Sequence, residues 1–345
     1  MNPPAVLQTP GFAHYSLAWS PFYNTRLALA SSANFGLVGN GRLHIVSLVP
    51  GPAGPTLKLD KHFESQDGLY DVAWSEAHEN HLVTASGDGS IRMWDIMLDN
   101  LAIAAWQEHT KEVFSVDWSN IQKDIFVSSS NSLSLTSPTK WKPDRPRSIV
   151  TLQAHHACVY QALFSPHQPD LVATCSTDGT LKIFDLRSPA YASGPGTNTF
   201  TNPLSAAVLT VPASPSEILT LDWNKYRPFI LATGSVDRMV KVWDCRMVKT
   251  SGDPQIGAAC ETSLPGHEYA VRKLQWSPHT PDILATASYD MTCRIWSTTP
   301  MGPQPALRYI HDAHTEFVVG CAWSLYDEGL LASCSWDSRL NIFRP

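Results

Sequence analysis

The chain has 345 residues, a net charge of −6 and a sequence pI near 6.1, without the clustered Lys and Arg that a broad nucleic-acid surface needs to displace counterions, so no nucleic-acid partner is expected. No uninterrupted apolar span is long enough for a membrane helix, and "MNPPAVLQTP" lacks the cationic segment leading into an apolar run that marks a secretory signal, so a cytosolic protein without direct membrane insertion is expected. Seven scattered cysteines with no C-x-x-C pair read as reduced thiols rather than zinc ligands or disulfides.

In chain order, the first element is a short strand over "AVLQT", residues 5–9, just before "PGF", where later segments have "PGH" or a bare His. "NFGLVGNGRLHIV", residues 34–46, crowds Gly36, Gly39 and Gly41 ahead of an apolar run. A phosphate-binding loop would need a different glycine spacing and a helix behind it. The residues after Gly41 alternate like a strand, so the glycines read as an irregular turn.

Along its length the chain repeats. A Trp or Phe followed by a small polar residue recurs as Trp19-Ser20, Trp74-Ser75, Trp118-Ser119, Phe164-Ser165, Trp223-Asn224, Trp276-Ser277 and Trp323-Ser324, at spacings between 44 and 59 residues. Each marker leads into an apolar pair and small residues, as in "LVTASGD", "ILATGSVD" and "LLASCSWD", and then into an alternating strand such as "IRMWD", "VKVWD" or "LNIFR". Period-two alternation cut by Gly and Asp turns predicts three short antiparallel strands per unit. Seven such units predict an all-β fold, a seven-bladed β-propeller spanning residues 1–345 as one domain. The strand over residues 5–9 is expected to pair with the last blade near Leu340–Phe343, removing an exposed edge. Gly36, Gly39 and Gly41 then fall between the second and third strands of blade one.

Two segments depart from the pattern. Over residues 127–146 no Asp follows Ser128-Ser129-Ser130 and Trp141 arrives late, so blade three is expected to have an altered turn and an irregular third strand. Residues 188–216 are rich in Pro, Gly, Ser and Thr and read as a long loop between blades four and five.

His155 precedes Asp178, His267 precedes Asp290 and His314 precedes Asp337 by the same 23 residues, with a Ser two places before each Asp. A single His, Ser and Asp set invites a catalytic or metal reading. Repetition at fixed spacing argues instead for a buried hydrogen-bond network in each unit, completed by the Ser and the strand Trp. No catalytic constellation lies outside the repeated register, so neither enzymatic activity nor a cofactor is expected.

These features resemble WD repeats from about Phe12 to Phe343, most fully in "PGHEYAVRKLQWSP" and "LATASYDMTCRIW". The phrases "SPFYNTRLALA", "NFGLVGNGRL", "QDGLYDVAW", "HENHLVTASGDG", "DWNKYRP", "ASYDMTCRIW" and "HTEFVVG" further resemble the family of receptors for the N-terminal type 2 peroxisomal targeting signal, the peroxin-7 family. This resemblance implies a non-enzymatic import receptor that captures folded cargo, such as a thiolase, in the cytosol. It implies a co-receptor that covers the bound signal, delivery to the peroxisomal docking machinery, and shuttling to the peroxisomal membrane and matrix. The signal, R-L-x-x-x-x-x-H-L, is an amphipathic helix that presents a cation and apolar anchors on one face.

Residues just before the first strand of each blade are expected to line one rim, among them Asp67, Asp71, Lys111, Glu112, Ala270, Glu316 and Phe317. Asp67 and Glu112 are candidates to pair with the signal's Arg. Tyr70 and Phe317 are candidates for apolar contact. A general WD-repeat scaffold, such as a chromatin or ubiquitin-ligase adaptor, is the alternative reading of the same fold.

Overall fold

The alternating apolar residues of the repeats become strands whose faces pack against the neighbouring sheets. A computed structural model describes residues 4–37, 39–52, 54–99, 101–131, 138–152, 154–187, 207–246, 260–299 and 306–345. These form seven four-stranded antiparallel sheets. The first strands of the repeats, Phe12–Trp19, Leu69–Trp74, Val113–Trp118, Val159–Phe164, Ile218–Trp223, Val271–Trp276 and Val318–Trp323, stand around a central channel. The all-β, seven-bladed propeller expected from the repeats is the observed fold.

Each blade has four strands where the repeat pattern predicted three. The outer strands, such as Cys260–Leu264 and Leu307–His311, are partly solvated and too weakly patterned to stand out in the sequence. The last sheet is completed by Ala5–Gln8, which pairs antiparallel to the final strand with Leu7 opposite Leu340. Thr9 N–H continues the pairing to the Ser338 carbonyl. The ring is also sealed by Trp19, whose indole N–H donates to the Ala322 carbonyl 3.0 Å away.

The expected loop over 188–216 needs correction at its end. Ala207–Pro212 is the outer strand of blade four, with Leu209 and Val211 buried and Val208 and Thr210 exposed. The period-two pattern of "AVLTVP" is real but sits inside a Pro- and Ser-rich context that masks it. Residues 188–206 lie outside the described residues. In blade three, late Trp141 ends a three-residue strand, Thr139–Trp141, opposite Phe126, and residues 132–137 lie outside the described residues.

Neighbouring blades are joined through polar side chains lining the channel. Asp71 accepts from Val116 N–H, Ser115 Oγ from Ala162 N–H, Asp117 from Phe164 N–H, Gln161 from Leu221 N–H, Asp222 from Trp276 N–H and Gln275 from Trp323 N–H. At the face of the disc away from the rim residues, the loops after the first strands clasp one another. His167 reaches the Asn224 carbonyl, Tyr226 the Pro278 carbonyl, His279 the Ser324 carbonyl and Tyr326 the Pro21 carbonyl. These links run from blade four round to blade one and fasten rigid sheets into one disc.

The repeated His and Asp residues meet as hydrogen-bonded pairs. His155 Nδ1 lies 2.9 Å from Asp178, His267 Nδ1 2.7 Å from Asp290 and His314 Nδ1 3.0 Å from Asp337. One expectation is corrected: the hydroxyl bonded to the imidazole belongs to Thr174, Thr286 or Ser333, four residues before the Asp. The Ser two places before the Asp instead accepts the Asp backbone N–H. The Ser is the last residue of its strand, on the same face as the hydroxyl two places earlier but nearer the turn, so it meets the turn's N–H while the imidazole lies over the earlier hydroxyl. In blade six the set is completed by Trp296, which donates to Thr286 over 2.8 Å. Blade three keeps His109, Ser128 and Trp141 in the same arrangement.

Candidate functional site

The first strand of every blade carries a β-bulge at its start. Register shifts occur at His14/Ser16, Leu69/Asp71, Val113/Ser115, Val159/Gln161, Ile218/Thr220, Val271/Lys273 and Val318/Gly320. Each leaves one residue outside the ladder, namely Tyr15, Tyr70, Phe114, Tyr160, Leu219, Arg272 and Val319. A bulge re-aims such a side chain, and its repetition brings five of them to one channel mouth, while Leu219 and Val319 are buried. Tyr15, Tyr70, Phe114, Tyr160 and Arg272 leave a void of only about 10 Å³ there, whereas the channel beyond holds about 240 Å³.

The aromatic members touch in series. Tyr15 and Tyr70 meet edge to face at 5.1 Å, Tyr70 and Phe114 lie 5.7 Å apart, and Phe114 stacks on Tyr160 at 5.0 Å. Arg272 sits over the Tyr160 ring at 5.5 Å. A second aromatic group adjoins this arc: Phe317 packs on Tyr289 at 4.8 Å and Trp336 at 5.3 Å, and Trp336 touches Tyr15 and Phe35. Phe35 is 52% exposed and sits, with Asn34 and Gly36, in a left-handed turn. That turn is the glycine-rich stretch of blade one, so its glycines shape the mouth and hold no helix behind them.

Asp67 and Glu112 flank Tyr70 from blades two and three. The Asp67 carboxylate accepts its neighbour Gly68 N–H at 2.7 Å, and Glu112 accepts from the Asn131 amide at 3.1 Å. Burial, and then the negative charges of Asp67 and Glu112, push the Tyr70 hydroxyl pKa up. Both carboxylates therefore act on the same point of the mouth.

Asp71 is a correction. It lies inside the first strand, 5% exposed, accepting Ser16 Oγ at 2.5 Å and Val116 N–H at 3.0 Å. One residue beyond the bulge, its side chain turns into the channel wall and joins blades one, two and three. Lys111 and Glu316 are exposed, and Ala270 is buried. The sequence reading missed Tyr15, Phe114, Tyr160, Tyr289 and Trp336. Their signal was an aromatic at one fixed offset in successive repeats, and in "SYD" and "SWD" between the Ser and the Asp.

Chemically, the mouth offers aromatic faces over blades six and seven and blades one to four, with the carboxylates of blades two and three set among them. That combination suits a partner presenting apolar groups and a cation together. Among the described residues no group of His, Cys, Asp and Glu is placed to hold a metal ion.

Known proteins share this chain's pattern throughout. The model of the WD domain, G-beta repeat, matches residues 54–95, 146–185, 206–244, 258–297 and 306–344. The peroxisomal targeting signal 2 receptor of Saccharomyces cerevisiae is 36% identical over 383 residues, covering 96% of this chain and 97% of that protein. The receptor of the same name in Mus musculus is 35% identical and covers 100% of this chain and 98% of its own length. Peroxisome biogenesis protein 7 of Arabidopsis thaliana is 40% identical and covers 98% of this chain and 97% of its own. With relatives this similar along nearly the whole propeller, the chain belongs to the family of peroxisomal targeting signal 2 receptors.

Proposed function

We propose that this protein is a cytosolic import receptor whose channel mouth binds the helical N-terminal type 2 signal of peroxisomal matrix enzymes, a thiolase among them. A co-receptor covers the bound helix, and the complex is delivered to the peroxisomal docking machinery. The observation that carries the reading is the Asp67 carboxylate standing beside the Tyr70 ring edge at Gly87, next to an aromatic surface formed by Tyr15, Tyr289, Phe317 and Trp336. An amphipathic helix lying across the mouth sets its Arg against the carboxylates and its apolar residues against the rings. A charge-assisted contact of this kind is about twice as strong as a neutral hydrogen bond.

The test is charge reversal at the rim. Asp67→Arg and Glu112→Arg are each expected to weaken binding of a fluorescent signal peptide at least about tenfold, while a thermal melt stays near wild type because rim substitutions shift stability by about 0.5 kcal/mol or less. Wild-type affinity in both variants would move the site elsewhere on the disc.

A further inference from the structure

In six blades the residue before the turn Asp, or its counterpart, donates its N–H to the carbonyl of the residue preceding the first strand. The pairs are Gly87 to Gly68, Asn131 to Glu112, Thr177 to Cys158, Val236 to Glu217, Tyr289 to Ala270 and Trp336 to Phe317. The shared bond proves that these positions are equivalent. Only blade two has glycine at both. Neither Gly68 nor Gly87 has a left-handed backbone, so the conformation does not demand glycine there. What the glycines supply is space.

That space is specific. A methyl group at Gly87 would lie 2.9 Å from Asp67 Oδ1 and 3.2 Å from Tyr70 Cε2. At Gly68 it would lie 2.6 Å from Ser32 Oγ and 3.8 Å from Tyr70 Cε1. Gly36 approaches from the third side, where a methyl would meet the hydroxyls of Tyr15 and Tyr70 at 2.9 and 3.3 Å. Three glycines thus surround the Tyr70 ring, and the one at 87 leaves the Asp67 carboxylate uncovered. In blades six and seven the equivalent position is filled by Tyr289 and Trp336, which roof the surface with rings.

We infer that Gly87 is a specificity-determining residue: its missing side chain opens a notch, walled by Asp67 and the Tyr70 ring edge, that admits the cationic end of one long side chain from the bound helix. The inference rests on the receptor reading above. It adds why the cation goes to Asp67 rather than to Glu112 alone, since the Glu112 carboxylate is engaged by the Asn131 side-chain amide and no turn side chain stands at Gly87.

The experiment is a double-mutant cycle on the full chain, titrated with a fluorescent helical signal peptide and accompanied by melts. Gly87→Ala is expected to weaken binding about tenfold or more, comparably to Asp67→Ala. The double variant is expected to bind no worse than Asp67→Ala, because a methyl that acts by displacing the carboxylate has nothing left to displace. Thr177→Ala, at the equivalent position of blade four, is expected to bind as wild type. Wild-type binding by Gly87→Ala, or additive losses in the double variant, would overturn the notch while leaving the receptor reading intact. Wild-type binding by Asp67→Ala would instead remove the site from blade two altogether. If Gly87→Ala melts early, the double variant, which lacks the 2.9 Å contact, keeps the comparison open: tighter binding than Asp67→Ala, or a further loss, contradicts the notch.

Discussion

Asp290 receives more donors than any other carboxylate of the repeated network. Its oxygens accept from His267, Glu268 N–H, Thr292 N–H and hydroxyl, and Arg294. Burial alone would raise its pKa, but the hydrogen bond and charge of His267 and the Thr292 contacts hold it well below the usual carboxylate range. Asp290→Ala is therefore expected to cost about 1–3 kcal/mol by stranding buried donors, measured by denaturant unfolding, with peptide affinity of the folded fraction unchanged. The histidines set the response to acid. Burial lowers His14, His109 and His311 to about 4, so between roughly pH 6.5 and 4 the unfolded chain takes up protons that the folded chain refuses, and stability falls as pH falls. Asp117 works oppositely, because burial raises its pKa to about 7 and the cost of its charge is relieved on acidification. The histidines outnumber it, so the melting temperature is expected to fall from about pH 7 to about pH 4.5. Asp117→Asn, which keeps an acceptor for Phe164 N–H, is expected to stabilise the protein more near pH 8 than near pH 5. Equal effects at both would place the titration elsewhere.

At the scale of elements, the closing strand Ala5–Gln8 is the smallest piece with the largest topological task. It covers the final strand, whose edge would otherwise offer unpaired backbone groups to another chain. Leu7 packs half-buried against the core shared by blades seven and one, so Leu7→Lys is expected to cost about 1 kcal/mol, below the full burial value of a leucine. Removing residues 1–8 is expected to lower the melting temperature by several degrees and to promote aggregation, read by light scattering. An unchanged melt would mean that the indole of Trp19 and its neighbours close the ring unaided. The inner strands of these blades were legible because they are buried on both sides and bracketed by Trp-Ser and Asp turns. The outer strands were not, since a half-solvated strand such as Ala207–Pro212 tolerates Pro, Ser and Thr and loses its contrast with a loop.

For the whole molecule, the consequence of seven rigid sheets is a mouth that is already formed before a ligand arrives, with two carboxylates set among aromatic rings. Binding through Asp67 and Glu112 is expected to weaken as salt rises over roughly 0.05–0.5 M, because partly exposed charges are screened within about 10 Å at 0.1 M, and the slope should flatten in Glu112→Arg. A salt-independent affinity would show that the rings alone hold the peptide. The repeat number, the His and Asp register and the closing strand were all determined by the sequence, since each is a property of spacing along one chain. The composition of the mouth was decided only by the tertiary structure. Tyr15, Tyr70, Phe114, Tyr160 and Arg272 lie in five different repeats and come together only when the ring closes. The bulge that turns them inward, and that sends Asp71 into the wall instead of the rim, is a backbone register shift between paired strands, which no single strand's residue pattern specifies.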